Sequence, residues 1–384
     1  MRFLKVGGCV RDHLMGVEPK DIDWLVVGAT PEQMIADKYI RVGADFPVFL
    51  HPDTKDEYAL ARKERKTSAG HKGFHTVFDP SVTIEEDLSR RDLTINAMAM
   101  DPATGEIFDP HGGQDDLLSK TLRHVSDAFS EDPLRVLRVA RFRARTGFSI
   151  APETMALCKD ICAKGLLSEL SIERVSGELR KIFECSRPGD GMQALVEMGA
   201  LESLDSSWPA RLGSPALEAL ASARALGAPE WSLARLACCQ GMDAKKSQAF
   251  LERLRFSGEV CRWGSRLGAF CSWALSEGAA ASDQEMACSL LESCGAPKYS
   301  DAQRDAFWLC AHAELAAQGG SPKACDKARL ALFSAKAISE ADLSQALALP
   351  AKQIPAGVRA AKLAAFSSCW PAIPATPAPR RRRG

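Results

Sequence analysis

The stretch Asp21-Ile22-Asp23-Trp24-Leu25-Val26-Val27 decides how this chain is read. Two carboxylates one residue apart run into an apolar, β-branched segment. Side chains alternate across a strand, so a strand starting at Asp21 points both carboxylates the same way, roughly 7 Å apart along the backbone. Carboxylates so placed can share a divalent ion or hold two. Upstream, Gly7-Gly8-Cys9-Val10-Arg11-Asp12 follows the short apolar run Phe3-Leu4-Lys5-Val6 and leads into an expected helix from Val10 to Met15. Backbone bare of side chains at a helix N-terminus cradles phosphate. An isolated Asp-x-Asp is more often a solvated strand start, and the glycine pair is what shifts the balance. Cradle and paired carboxylates together read as nucleotidyl or phosphoryl transfer. Glu57 opens a neighbouring strand candidate and is either a third acidic group or a surface glutamate.

The 384 residues are enough for two or three domains. Hydrophobic content of 46% and charged content of 26% are those of a globular protein. The net charge of zero argues against indiscriminate nucleic-acid binding by the whole molecule and leaves room for a local basic groove. No apolar run reaches the roughly 18–20 residues that span a bilayer. Met1-Arg2-Phe3-Leu4-Lys5 is read as entering the fold directly, without a signal peptide. The 13 cysteines are scattered and include no Cys-x-x-Cys, which reads as reduced, buried thiols in a cytoplasmic protein rather than a zinc site.

The texture changes along the chain. Residues 1–125 mix short strands (Val42 to Leu50, Glu57 to Ala61, Val77-Phe78, Ile107-Phe108) with helices. Residues 126–200 carry helical periodicity at Pro133 to Arg145, Pro152 to Cys162, Ser171 to Phe183 and Asp190 to Met198. Residues 201–370 are alanine- and leucine-rich with Gly, Ser and Pro breaks and read as a helical body. Residues 371–384, ending in Arg380 to Arg383 and Gly384, read as a disordered tail. The expected fold is α+β: a mixed α/β head followed by an all-helical neck and body.

Two further segments carry chemistry. Arg90-Arg91-Asp92, followed by an amphipathic stretch, is either a charged helix end or a binder of phosphate and ribose hydroxyls. In Glu131-Asp132-Pro133-Leu134-Arg135, Pro133 suits a helix start with Asp132 as its cap, and Arg135, Arg138 and Arg141 recur along one face. One reading is a cap and a solvated basic stripe. The other is base recognition. An aspartate accepts from an exocyclic amino group and an arginine donates to ring acceptors, a pattern that admits cytosine and adenine and rejects uracil and guanine.

These residues bring out a resemblance. The chain resembles the bacterial CCA-adding enzymes, class II tRNA nucleotidyltransferases, and more distantly their poly(A) polymerase relatives. The likeness runs from Leu4 to about Phe183. It rests on Gly7-Gly8-x-x-Arg11-Asp12, Asp21-x-Asp23-Trp24, Phe46-Pro47-Val48-Phe49-Leu50, Arg90-Arg91-Asp92, Asp109-Pro110-x-Gly112-Gly113, Glu131-Asp132-x-x-Arg135 and Ser171-x-Glu173-Arg174. The resemblance implies a polymerase β-like head and template-independent addition of C, C and A to the 3′ end of tRNA from CTP and ATP. It places Mg²⁺ on Asp21 and Asp23, nucleotide contacts on Gly8, Arg11, Arg91, Arg138 and Arg141, ribose recognition at Arg91-Asp92, and base reading on Asp132 and Arg135. It implies tRNA as partner, with no obligatory protein partner. The segment Arg62 to Phe74 is similar to the flexible loop that full CCA-adding enzymes need for the switch to adenine.

One departure stands out. Longer relatives carry a C-terminal metal-dependent phosphohydrolase domain with a His-Asp dipeptide. This chain has no such dipeptide, its nearest equivalent is Leu236-Ala237-Cys238-Cys239-Gln240, and only His312 lies beyond His124. No phosphohydrolase activity is therefore expected. The alternatives are a poly(A) polymerase, an enzyme adding only CC or only A, and a silent tRNA-binding protein. Intact aspartates and an intact Glu131–Arg135 motif weigh against the last.

Overall fold

The computed structural model describes residues 1–42, 48–66, 74–206, 242–275 and 301–317, with Trp208 and scattered helical positions between 217 and 239. The tail at 371–384 and the loop at 67–73 lie outside the described residues. Two compact units divide the chain, Met1–Ile182 with Ala194–Ser206, and Phe183–Gln193 with Ser207–Gly384.

The first unit is built on a seven-stranded sheet. Its strands are β1 (Arg2–Val6), β2 (Asp23–Val27), β3 (Ile40–Val42), β4 (Val48–Leu50), β5 (Glu57–Leu60), β8 (Ala99–Met100) and β9 (Ile107–Phe108), in the order β3-β4-β5-β2-β1-β8-β9. Every neighbouring pair is antiparallel except β2 with β5, which run parallel with Asp23 opposite Glu57. Alternation sorts the side chains. Leu4, Val6 and Leu25 join Val82, Leu88 and Ala97 in one core, while Val26, Phe49, Tyr58 and Leu60 pack with Met34 in another. Met34 belongs to α2 (Pro31–Ala36), which opens with a capping box between Thr30 and Gln33. A separate hairpin pairs β6 (Arg62–Lys66) with β7 (Phe74–Phe78).

The expected helix after the glycine pair is α1 (Gly8–Leu14). The strand expected from Asp21 differs: β2 begins at Asp23, and Asp21 sits in a bend before it. The reason lies in the ladder. Glu57 opens β5 opposite Asp23, and β1 pairs its Lys5 with Trp24, so neither neighbour offers Asp21 a partner.

Helices complete this unit: α3 (Ile84–Ser89), α4 (Gly113–Leu118), α5 (Leu134–Thr146), α6 (Pro152–Ala163), α7 (Ile172–Glu184, its last two residues in the second unit), the end of α8 (Pro188–Glu197) and α9 (Ala200–Leu204). The helical periodicities at Pro133, Pro152, Ser171 and Asp190 thus appear as α5 to α8. Helix α5 buries Val136, Leu137, Val139, Ala140 and Ala144, which leaves Arg135, Arg138 and Arg141 on the other side. Strands β10 (Thr121–Leu122) and β11 (Ser149–Ile150), one before α5 and one after it, form a parallel pair.

The second unit contains α10 (Ala244–Arg253), capped by Asp243, with α11 (Gly258–Leu275) and α12 (Asp301–Ala317). Trp263, Phe270, Phe307 and Trp308 form its aromatic core. Cys238 and Cys239 are fully buried, and burial pushes the Cys238 thiol well up. No helix among the described residues is long and apolar enough to cross a membrane.

Candidate functional site

A cavity of about 520 Å³ opens in the first unit between α1, the segment 90–96 and α5. Nine arginines line it against three aspartates, so a chain of zero net charge concentrates positive charge in one place. Such a field suits a polyanion. A smaller cavity of about 220 Å³ shares Asp23, Arg62, Arg90 and Arg91 with it and reaches Glu57 and Trp24.

Gly7 ends β1 with φ of 78°, a left-handed conformation that glycine adopts freely. A Cβ at this position would lie 3.1 Å from Nη1 of Arg91. The glycine therefore lets Arg91 close over the start of α1, whose first amides have no side-chain cap. Gly113 serves the floor of the site by a close approach. A Cβ there would stand 2.4 Å from the carbonyl oxygen of Thr94, so α4 packs directly on the 3₁₀ turn Thr94–Asn96.

That turn carries Asn96, the joint of a hydrogen-bond network that crosses the site. Arg11 donates from Nη1 to Oδ1 of Asn96 at 2.5 Å, and from Nε and Nη2 to Oδ1 of Asp12 at 2.9 and 2.7 Å. Arg145 donates to the other Asp12 oxygen at 2.7 Å. Asn96 donates from Nδ2 to Oδ1 of Asp92 at 3.2 Å, and the Leu93 amide adds a bond of 2.8 Å. Arg138 holds the remaining Asp92 oxygen from Nε at 2.7 Å. Burial raises the Asp92 pKa, but Arg138, Asn96 and the Leu93 amide outweigh it and leave the carboxyl below its ordinary value. Asp92 thus lines the cavity with both oxygens engaged inside the protein. Arg11 is 2% exposed, and burial pulls its pKa down against the pull of Asp12.

Phe142 lies beneath the basic wall. The guanidinium carbons of Arg11, Arg138 and Arg141 stand 5.4, 5.7 and 4.6 Å from its ring centroid. Arg141 also meets the buried Glu178 of α7 at 2.7 Å. Burial lowers the Arg141 pKa, with Glu178 opposing.

Asp132 and Arg135 flank the start of α5. Asp132 accepts from the Leu134 amide at 3.2 Å and from Nη2 of Arg174 at 2.8 Å, so it is a helix cap and is also aimed by α7. Arg135 donates to the carbonyls of Ala128 and Arg90 at 2.9 and 2.6 Å. The second bond fastens α5 to the Arg90-Arg91 segment.

The cavity gathers Gly8, Arg11, Asp23, Arg91, Asp92, Asp132, Arg135, Arg138 and Arg141 from the sequence expectations. Asp21 is not among its lining residues. Arg145 and Arg174 also line it, beyond the sequence expectations, and Asn96 and Asp12 take places in its network that the sequence does not point to. Arg145 continues the arginine spacing of α5 and was legible there; the pairing of Asp12 with a residue 133 positions away was not.

Asp23 sits between opposing influences. Burial raises its pKa, Arg91 lowers it, and Asp21 raises it again. A divalent cation would relieve this repulsion, and carboxylate oxygens suit a hard ion. Among the described residues no three His, Cys, Asp or Glu side chains converge. The set therefore fits an ion that takes few protein ligands and completes its shell with water and substrate phosphate.

Residues 3–123 match the family model described as the poly A polymerase head domain, and residues 147–205 match the probable RNA and SrmB-binding site of polymerase A. A multifunctional CCA protein of Vibrio campbellii is 56% identical over 218 residues, covering 56% of this chain and 53% of that protein. That of Teredinibacter turnerae is 52% identical over 222 residues, covering 57% and 54%. The matched part thus spans about half the length of these relatives. Among solved structures, the Bacillus stearothermophilus CCA-adding enzyme in complex with CTP superposes with a TM-score of 0.59 at 25% identity, over 93% of this chain and 88% of that one. The Thermotoga maritima CCA-adding enzyme complexed with tRNA shares the fold, with a TM-score of 0.66 at 19% identity over 95% and 87%. Over residues 3–123 and 147–205 the chain thus resembles the poly(A) polymerase head and its RNA-binding segment, and over 218 residues it is similar to bacterial multifunctional CCA proteins.

Proposed function

We propose that this protein adds C, C and A to the 3′ end of tRNA from CTP and ATP without a template, releasing pyrophosphate and restoring damaged ends. The observation that carries this reading is the arginine-lined cavity that Asp23 shares, in a chain 56% identical over 218 residues to a multifunctional CCA protein. In this reading residues 1–125 are the catalytic head, 126–200 the neck that reads the base, and 201–370 a helical body that holds tRNA. The reaction belongs in the cytoplasm, where uncharged tRNA is found.

Family members use a divalent metal, and here the ion is Mg²⁺, held by Asp21 and Asp23. When bound it lowers the pKa of the tRNA 3′ hydroxyl and neutralises charge on the triphosphate. The chain's own residues do the rest. Arg11, Arg91, Arg138 and Arg141 orient the triphosphate, with Gly8 leaving room for it at the start of α1. Asp92 acts on ribose recognition by fixing Arg138 and the 92–96 turn. Asp132 accepts from the amino group of cytosine or adenine, and Arg135 donates to the ring acceptors. Held by Arg174 and the Leu134 amide, Asp132 cannot turn away to accommodate uracil or guanine.

The test is incubation of tRNA lacking its end with CTP, with ATP and with both, followed by sequencing of the products. Both nucleotides together should yield a single CCA end. Long adenosine tails from ATP alone, with CTP ignored, would identify a poly(A) polymerase instead.

A further inference from the structure

One carboxylate near the cavity has no place in the reaction above. Asp87 sits in the last turn of α3 at 0% exposure and lines neither cavity. Its Oδ1 accepts from Arg90 at 3.0 Å (Nε) and 2.7 Å (Nη2), and from the backbone N–H of Arg62 at 3.4 Å. Its Oδ2 accepts from Nη2 of Arg91 at 3.1 Å. Arg62, Arg90 and Arg91 are the arginines shared by both cavities. One buried anion therefore stands directly behind the cations that face both.

Burying a carboxylate is unfavourable unless it is paired, and two guanidinium groups provide that pairing. The arginines keep 19% and 21% of their side chains in solvent, so the pairing leaves them open toward the cavity. The Arg91 Nε has no hydrogen-bond partner among the described residues. A free arginine loses rotamer entropy when a ligand fixes it, and a fixed anchor removes that cost before a ligand arrives. The anchor itself is rigid: Thr83 and Glu86 close a capping box at the start of α3, and Leu88 is buried in the sheet core.

We propose that Asp87 is a positioning residue that holds Arg90 and Arg91 as a preformed pair for the triphosphate of the incoming nucleotide. The inference rests on the reading that the cavity binds nucleoside triphosphate. It also ties the hairpin that begins at Arg62 to the same anchor.

The variant Asp87→Asn keeps the shape and removes the charge. Calorimetric titration with CTP, and separately with inorganic tripolyphosphate, is done without tRNA so that no transfer occurs. Both affinities should fall about tenfold or more. The KM for CTP should rise by a similar factor while kcat changes less than about threefold. Val82→Ala, in the same core but away from the arginines, should lower the melting temperature and leave KM unchanged. If Asp87→Asn does not fold, Asp87→Glu, which keeps the charge and shifts it by one methylene, should weaken tripolyphosphate about threefold. Unchanged affinities in the folded variant, or a fall in kcat at constant KM, would overturn the positioning role alone. Wild-type protein that binds neither CTP nor tripolyphosphate would overturn the functional reading and this inference with it.

Discussion

Asp23 and Glu57 stand opposite each other at the start of the one parallel strand pair in the sheet. Register partners on neighbouring strands turn their side chains to the same face, so the two carboxylates share a side. Asp21→Asn or Asp23→Asn should lower nucleotide incorporation by about 100-fold or more, with tRNA affinity unchanged, because metal-borne charge stabilisation is worth several kcal/mol. Glu57→Gln should lower incorporation about tenfold if its charge joins theirs during transfer. Single-turnover rates with CTP and a gel-shift titration of tRNA read both quantities, and a Glu57→Gln enzyme with wild-type rate would return Glu57 to the surface.

Asp92 links fold stability to pH. Its pKa is lowered in the fold, because Arg138, Asn96 and the Leu93 amide outweigh burial. A depressed carboxylate contributes stability above the unfolded value, about 3.9, and loses it as pH falls through the folded value. Asp92→Asn should therefore cost about 2–3 kcal/mol at pH 7, less than a fully buried broken pair, since Arg138 keeps 33% of its side chain in solvent. The difference in melting temperature from wild type should hold between about pH 5 and 8, begin to shrink near pH 4 and disappear only as pH falls through the folded value below it. A difference that grows on acidification would contradict this.

Base choice should depend on Asp132 and on the residue that aims it. Asp132→Ala should admit UTP or GTP at least about tenfold more readily, the range for one lost base contact. Arg174→Ala should have the same effect more weakly, because Arg174 holds one Asp132 oxygen at 2.8 Å. Competition between CTP and UTP on one tRNA measures the ratio. Slower transfer with unchanged selectivity in both variants would reduce Asp132 to a helix cap.

Gly7→Ala meets two obstacles at once, a left-handed backbone and the nearby Arg91. The backbone, at φ 78° and ψ −127°, lies where side-chain-bearing residues are strained. Displacement of Arg91 should add a rise in KM for CTP that denaturant melts do not see. Gly105→Ala is a control for the backbone cost, since its φ of 74° is similar and nothing lies within 4 Å of its Cβ position. It should destabilise without changing KM.

The α/β head, the helical periods at Pro133, Pro152, Ser171 and Asp190, and the grouping of carboxylates with a glycine turn were determined by the sequence itself. Those features are local: alternation, 3.6-residue spacing and glycine conformation act within a few residues. The arginine face of α5 was legible for the same reason. Tertiary structure alone decided that Asp21 falls outside β2, because strand ends depend on what neighbouring strands offer to pair. It alone decided that Asp92 turns inward to Arg138, that Arg145 reaches Asp12, and that Asp87 backs Arg90 and Arg91. A buried carboxylate must find its counter-charge somewhere in space, and no spacing along the chain says which cation the fold will bring to it.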